Sequence, residues 1–284
     1  MTGYEALRNR AVWMDLSARG KIKLTGEDRA RLLHAMTTNH IQQLAPGAGC
    51  YAFFLNDKGR VLADANVLCR PDYFLLDVEP ETREPLYQHL DRFIIADDVT
   101  LEDATDATAT IAVEGPEAAD VMQRAGAPIP ETDYSSVDWN DAVVARLSST
   151  GSLGFFIFVP VNEKAALISR LEAAGAEPAD AEASRVVRLE HGKPRFSEDI
   201  SDRFLAQEAN QPHALNFSKG CYLGQEIVER VRSRGQIHRV LKPLILEMKE
   251  PPAPGTKLEN ASEITSAVYS PALGKVVALA YVRI

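Results

Sequence analysis

The chain has 284 residues, of which 45% are hydrophobic and 25% are charged, a composition typical of a folded globular protein rather than a disordered, fibrous or membrane protein. Because a single hydrophobic core stops growing at about 250–300 residues, this length favours two or three packed units. The formal net charge of −9 excludes broad binding to a phosphate backbone, which depends on clustered Lys and Arg, so we expect no direct nucleic-acid binding.

Several features of the sequence together predict a soluble protein of a reducing compartment. Charges interrupt residues 1–15, which therefore lack the apolar stretch of a secretory signal, and no apolar run is long enough to cross a bilayer. Cys50, Cys69 and Cys221 are an odd number without C-x-x-C spacing, which indicates neither a disulfide framework nor a zinc ribbon. The histidines show no ligand spacing. We expect a cytoplasmic protein, a monomer, without a metal site.

The first part of the chain alternates short strands with helices. In chain order we predict a strand at 21–24, a helix capped by Thr25, a hairpin of 50–55 with 61–68, a strand at 73–78 and a helix within 80–95. The acidic segment 97–106 is predicted as a solvated connection or an edge strand. The order of elements indicates an α+β unit.

The pattern recurs and then changes near the C-terminus. We predict a strand at 110–113, a helix starting at Gly115–Pro116, a hairpin of 143–147 with 155–159, and a helix at 163–174. After the proline-rich segment 251–255 only short β-prone pieces remain. The predicted division is therefore a core of residues 1–236 with two subdomains and a small all-β domain of residues 237–284.

The most distinctive segment runs from Asn216 to Arg232. Its apolar residues recur at helical spacing, which predicts a helix that starts near Cys221. A thiol at a helix N-terminus beside Lys219 favours the thiolate, so Cys221 is a candidate reactive residue. The alternative is that Cys221 is a small buried apolar residue, the commoner state of an unpaired cysteine. Gly220 and Gly224, which are costly in a helix, favour close approach of backbone or ligand.

The residues Lys219–Glu226, K-G-C-Y-L-G-Q-E, resemble the K-G-C-Y-x-G-Q-E hallmark of the YgfZ family of folate-binding proteins. The rest of the chain is similar to the wider superfamily that includes the T-protein of the glycine cleavage system. The similar segments are 51–62, V-E-G-P at 113–116, R-L-E-H-G at 188–192, and the Ser-Pro and Gly-Lys pairs within 270–275. The resemblance covers the chain from about Trp13 to Val282.

This resemblance implies a fold and a cofactor. The expected fold is α+β, a T-protein-like ring of two α+β subdomains plus a small C-terminal β-barrel, with tetrahydrofolate or a derivative in the central opening. Glu190 has the family position for the pterin, and a carboxylate suits the paired N–H donors of a pterin edge. Without the resemblance, Glu190 would be read as a surface residue of a helix.

Asp64 is the second informative acid. In the T-protein two acids stand after the glycine turn and serve the folate nitrogen chemistry, whereas this chain has Ala63–Asp64. Asp64 is therefore a candidate for catalysis and folate binding, or else a polar residue on an alternating strand. Tyr222 of the motif and Arg230 complete the folate-binding candidates, since a guanidinium suits the glutamate tail. The alternative for Arg230 is a charged, exposed helix face.

The resemblance implies an accessory protein for iron–sulfur cluster assembly or repair that acts through Cys221, with iron–sulfur client or assembly proteins as partners and indirect effects on tRNA modification. One cysteine cannot hold a cluster alone, because a cluster normally takes four thiolates. The alternative is a folate-dependent aminomethyltransferase or a related demethylase, which Asp64 and Glu190 favour and Ala63 opposes. A third possibility is a scaffold without chemistry, with Cys221 buried and inert.

Overall fold

A computed structural model describes residues 2–235, 237–258 and 262–284. The helices are α1 (Tyr4–Asn9), α2 (Arg29–Met36), α3 (Arg83–Asp91), α4 (Ala118–Arg124), α5 (Lys164–Ala173), α6 (Ala181–Glu190) and α7 (Gln225–Arg234). The strands are β1 (Val12–Asp15), β2 (Gly20–Thr25), β3 (Gly49–Leu55), β4 (Val61–Cys69), β5 (Phe74–Val78), β6 (Thr100–Asp103), β7 (Thr108–Glu114), β8 (Ser136–Trp139), β9 (Ala142–Ala145), β10 (Gly154–Pro160), β11 (Glu177–Pro178), β12 (Arg239–Leu246), β13 (Glu263–Ser270) and β14 (Lys275–Arg283).

The strands of the described residues form three sheets. A five-stranded sheet has the order β3, β4, β5, β2, β6, and a six-stranded sheet has the order β11, β1, β7, β10, β9, β8. The short pair of β1 with β11 is parallel, and the other pairs are antiparallel. This arrangement confirms the predicted mixed α+β class.

Each large sheet has a core on one face and meets the other sheet through its second face. One core packs the six-stranded sheet against α4 and α5, and another packs the five-stranded sheet against α2 and α3. Between the sheets, Leu68 and Leu75 join the same buried cluster as Met14 and Phe156. Successive side chains along a strand point to opposite faces of the sheet, so each sheet can supply a core on one face and an interface on the other.

Most predicted elements are confirmed, with two corrections of detail. Both hairpins form, β3 with β4 and β9 with β10, and β6 is an edge strand within the acidic segment. Thr25 does not cap α2: it ends β2, and the residue before the helix is Asp28. The helix predicted to start near Cys221 begins at Gln225, because Gly224 has a left-handed backbone with φ +82°.

The predicted C-terminal β-barrel is not found among the described residues. Instead β12, β14 and β13 form an open antiparallel sheet in that order. Leu241, Val277 and Tyr281 of this sheet pack into a buried cluster with Phe53 and Phe204 of the larger unit. Three strands can bury one face of their sheet against the rest of the molecule, so closure into a barrel is not needed. The predicted division at residue 237 stays a prediction, and Gln236 lies outside the described residues.

None of the helices in the described ranges has the length and apolar character needed to span a membrane.

Candidate functional site

A cavity of about 690 Å³ lies between the two large sheets. Met14 and Phe156 of the six-stranded sheet line one wall, Tyr51 and Asp64 of the five-stranded sheet line another, and α6 with residues 193–198 closes the space. This volume falls within the range of small-molecule and cofactor sites, which combine apolar walls with a few converging polar groups.

Asp64 is placed in the cavity by the β3–β4 hairpin. It lies opposite Phe53, and the two flanking alanines, Ala63 and Ala65, join the core on the other face of the sheet. The hydroxyl of Tyr51 donates to Asp64 Oδ2 at 2.7 Å. Asp64 is therefore a buried acid on the cavity face and not a solvent-facing residue of an alternating strand.

The surroundings of Asp64 favour its protonated form. Burial and the neighbouring Glu79 carboxylate raise the pKa of Asp64 to about 6, although the Tyr51 hydrogen bond and Arg19 act in the opposite direction. Desolvation penalises a charged carboxylate, and a second negative charge nearby adds to the penalty. A carboxyl group with a pKa near neutrality can both accept and release a proton, which is the property expected of a general acid or base.

Most of the other charges of the cavity are organised in two networks. In the first, Arg19 donates to Asp77 from two nitrogens at 2.8 Å each and also contacts Glu79, while Arg195 contacts Glu79 at 2.9 Å. In the second, Arg185 and Arg188 share Glu198 at 2.6 and 2.5 Å. Arg188 also reaches the buried Asp199 at 2.7 Å, which in turn accepts from Thr265 and Ser266 of β13. The second network ties the cavity wall to the C-terminal sheet.

Three aromatic rings form one side of the cavity. His213 stacks on Tyr51 with ring centroids 5.2 Å apart and on Tyr134 at 6.3 Å. Flat apolar faces of this kind favour a planar ring ligand. The described residues contain no group of three or more His, Cys, Asp or Glu arranged to hold a metal ion.

Glu190 does not line the cavity. Its Oε1 accepts from the hydroxyls of Tyr4 and Ser270 at 2.6 and 2.5 Å, and its Oε2 contacts Arg8. The side chain is 5% exposed. Both oxygens thus already have partners at the junction of α1, α6 and β13. The pterin contact of Glu190 stays a prediction.

The segment around Cys221 is held against the end of α2. The ammonium of Lys219 donates to the carbonyls of His34 and Thr37 and lies 4.7 Å from the centre of the Tyr222 ring. Burial lowers the pKa of Lys219 to about 7. The backbone N–H of Leu223 donates to the Ala35 carbonyl at 2.9 Å. These contacts satisfy carbonyls that the end of a helix leaves without intrahelical partners.

Of the two motif glycines, Gly224 has a steric and conformational reason to be glycine, and Gly220 has neither. A Cβ at Gly224 would lie 2.6 Å from the Asn56 carbonyl oxygen, and its φ of +82° is rare for other residues. A Cβ at Gly220 would lie 3.8 Å from His34 Nε2, an ordinary contact. Tyr222 is buried and packs with Phe53 and Val228, and it does not line the cavity. Its predicted folate contact is not supported by this placement.

Cys221 is exposed, whereas Cys69 is buried and Cys50 is half-buried. Burial raises the pKa of Cys50 to about 12 and also raises that of Cys69. The expected helix N-terminus is four residues away, at Gln225, and Lys219 points to α2. The alternative of a buried Cys221 is therefore wrong. The reactivity of Cys221 stays a prediction, and it rests on exposure because the helix N-terminus and the Lys219 ammonium both lie elsewhere.

Arg230 lies on the exposed face of α7 and outside the cavity lining. The structure thus brings Asp64 into the cavity but leaves Cys221, Tyr222, Glu190 and Arg230 away from its lining. Sequence reasoning missed Lys193 and Glu198, which line the cavity although no periodic pattern marks them. The only feature of the sequence that indicates these two residues is their position shortly after the R-L-E-H-G stretch.

Comparison with known proteins agrees with this architecture. An aminomethyltransferase of Rubrobacter xylanophilus is 31% identical over 294 residues, covering 98% of this chain and 78% of the relative. A putative chloroplastic transferase of Arabidopsis thaliana is 29% identical over 261 residues, covering 89% of this chain and 60% of the relative. The crystal structure of glycine cleavage system aminomethyltransferase T from Bartonella henselae matches with a TM-score of 0.90 at 21% identity, over 99% of this chain and 80% of that chain. At this identity the structural likeness shows the fold.

Residues 2–219 match the GCVT N-terminal domain family, and the matched range ends two residues before Cys221. This matched range covers both large sheets and the cavity between them. The chain therefore belongs to the GCVT N-terminal domain family, within the aminomethyltransferase-like superfamily of folate-related transferases.

Proposed function

We propose that the chain binds tetrahydrofolate or a derivative in the central cavity and supports iron–sulfur cluster assembly or repair through Cys221. The cavity supports the proposed folate binding, because Tyr51, Tyr134 and His213 offer flat ring faces there. Asp64 adds a carboxyl group of raised pKa. A bound folate supplies a ring nitrogen that carries a one-carbon unit. Asp64 would hold or release a proton beside that nitrogen.

One observation about the K-G-C-Y-L-G segment supports the proposed role in iron–sulfur cluster assembly or repair. Lys219, Tyr222, Leu223 and Gly224 each have a structural role in packing or hydrogen bonding. Cys221 has none: its side chain is exposed and makes no hydrogen bond among the described residues. A thiol presented to solvent on an anchored segment can exchange with a partner's sulfur or metal, and a cluster contact would be shared with that partner. The proposed partners are iron–sulfur client or assembly proteins of the cytoplasm.

The test is complementation of a deletion strain with Cys221→Ser, with iron–sulfur enzyme activities and the tRNA modifications that depend on them as readouts. Ser218→Ala, at an exposed residue of the same segment, is the matched control. We expect Ser218→Ala to restore the activities and Cys221→Ser to fail at equal protein level. Full restoration by Cys221→Ser would refute the cysteine-centred function.

The second candidate function is a folate-dependent aminomethyltransferase or related demethylase. The burial and raised pKa of Asp64 in the cavity favour it, as do relatives that are named aminomethyltransferases. Reconstitution with a lipoyl partner protein measures it directly. Tetrahydrofolate-dependent release of ammonia that is lost in Asp64→Asn would promote this candidate above the first.

A further inference from the structure

Four arginines lie close together at the surface, where the turn between β3 and β4 meets the C-terminal sheet. They are Arg60, Arg203, Arg239 and Arg283, and none of them lines the central cavity. The guanidinium groups of Arg60 and Arg239 both donate to the carbonyl oxygen of Arg203, at 2.5 and 3.4 Å. Because the two bonds share one acceptor, the donating nitrogens can be no further apart than the sum of these distances. Two cationic groups from different segments therefore converge on one point.

The backbone holds these arginines together. The N–H of Arg60 donates to Asn56 Oδ1 at 3.0 Å, and Arg60 forms an isolated antiparallel bridge with Leu205. Arg239 and Arg283 are directly paired residues of β12 and β14, so their side chains leave the same face of the sheet. Like charges directly opposite each other in an antiparallel pair are destabilising. The cluster thus places cations side by side at a cost in stability.

Ion pairs compensate only two of the four guanidinium groups. Arg203 contacts Glu263 at 2.9 Å, and Arg239 contacts Glu208 at 3.0 Å. Arg60 and Arg283 form no ion pair with any residue in the described ranges. Positive charges this close to one another repel, and an anion bound between them would offset the repulsion.

Aromatic rings support two of the guanidinium groups. The guanidinium carbon of Arg239 lies 4.7 Å from the centre of the Phe204 ring, and that of Arg203 lies 5.4 Å from the same ring. Phe204 in turn stacks on Tyr281 with ring centres 3.6 Å apart. The Tyr281 hydroxyl is buried and has no hydrogen-bond partner among the described residues. Buried polar groups are normally satisfied by protein, water or ligand, so this hydroxyl next to the arginines is a second sign of a bound polar group.

We propose that the four-arginine cluster is a binding site for a phosphate group. A phosphate monoester carries three acceptor oxygens and a charge of about −1.5 to −2 near pH 7, which matches the two guanidinium groups without ion pairs. A carboxylate has two oxygens and pairs best with one coplanar guanidinium, so it fits donors from separate segments less well. The phosphate can belong to a free small molecule or to a phosphorylated side chain of a protein. The site does not depend on the proposed folate and cysteine functions.

The experiment is isothermal titration of the full chain at low ionic strength with inorganic phosphate, acetate and a short phosphoserine peptide. We expect saturable binding of phosphate and at least about tenfold weaker binding of acetate. A peptide that binds more tightly than inorganic phosphate would support the site and assign the phosphate to a protein. A peptide that binds no more tightly would support the site with a free small molecule as its ligand.

Two variants should change phosphate affinity in opposite directions. Arg60→Gln removes a guanidinium without an ion pair and should weaken binding by about tenfold or more. Glu263→Gln removes the carboxylate that competes for Arg203 and should tighten binding by about two- to fivefold. Arg92→Gln makes the same change as Arg60→Gln at an exposed arginine just after α3 and should have no effect. A cluster with only a structural role predicts no tightening in Glu263→Gln.

Thermal unfolding shows whether each variant is folded. If Arg60→Gln does not fold, Glu263→Gln carries the test, because a damaged site cannot bind more tightly. Absence of saturable binding of both phosphate and the phosphoserine peptide to the parent would refute the inference. Equal phosphate affinity of the parent and of folded Arg60→Gln would refute it too, and so would acetate binding as tight as that of phosphate.

Discussion

Tyr51 and Asp64 lie diagonally across the β3–β4 hairpin, and the tyrosine hydroxyl donates to the carboxyl group at 2.7 Å. The bond holds the acid at a fixed place in the cavity, while burial raises the pKa of Asp64 from 3.8 to about 6. Because the pKa of Asp64 is higher in the folded than in the unfolded protein, the ionised side chain costs free energy of folding at pH values above the folded-state pKa. The cost is absent at pH values below the unfolded pKa, where both states are protonated.

We therefore predict that Asp64→Asn raises the free energy of unfolding by about 1–3 kcal/mol at about pH 8, because it removes the buried charge. This difference in the free energy of unfolding between variant and parent should shrink as the pH falls through about 6 and vanish near 3.8. Urea unfolding at several pH values measures this. A constant gain, or a loss at high pH, would show that the ionised carboxylate is stabilised by its surroundings.

Cys221 should be alkylated before Cys50 and Cys69. It is exposed, whereas burial raises the pKa of both other thiols, that of Cys50 to about 12. Since only the thiolate reacts, we expect a rate difference of roughly a hundredfold or more near neutral pH in the folded protein. Iodoacetamide labelling followed by peptide mass spectrometry reports each site. Equal rates for the three thiols would contradict the placement of Cys221.

Glu190→Gln should lower the free energy of unfolding by about 2–4 kcal/mol, because it leaves the Arg8 guanidinium without its buried carboxylate. Glu117→Gln, at an exposed position, is the control and should change little. Tetrahydrofolate affinity is measured on the same variants. If Glu190→Gln keeps its stability but binds tetrahydrofolate at least about tenfold more weakly, the pterin role predicted from the sequence is right and the structural role is not.

Gly224 and Gly235 lie at the two ends of α7, and both have positive φ, +82° and +63°. A Cβ at Gly224 would meet the Asn56 carbonyl oxygen at 2.6 Å, whereas a Cβ at Gly235 would have no neighbour within 4 Å. Gly235→Ala should therefore cost about 1 kcal/mol of backbone strain and Gly224→Ala distinctly more, about 2–4 kcal/mol, when measured by thermal or urea unfolding. Similar losses for the two variants would mean that the chain before α7 shifts freely.

Local patterns in the sequence determined much of the fold. Alternation and turn residues located both hairpins, because strand register follows from neighbours in sequence. Asp64 was singled out by the resemblance of the segment after the β3–β4 turn to the T-protein. The motif around Cys221 was visible as a resemblance too. Its helix start was placed too early, since a left-handed Gly224 interrupts a pattern that periodicity alone continues.

The tertiary structure decided the partners of the charged residues. Glu190 is held by Tyr4, Arg8 and Ser270, which are 186, 182 and 80 positions away. Lys193 and Asp64 face one cavity although no local pattern connects them. Periodicity reports which face of an element is apolar, but it carries no information on which distant face packs against it. Whether a carboxylate is paired, buried or open to a ligand depends on that packing, which is why the charged residues of the cavity other than Asp64 became visible only in three dimensions.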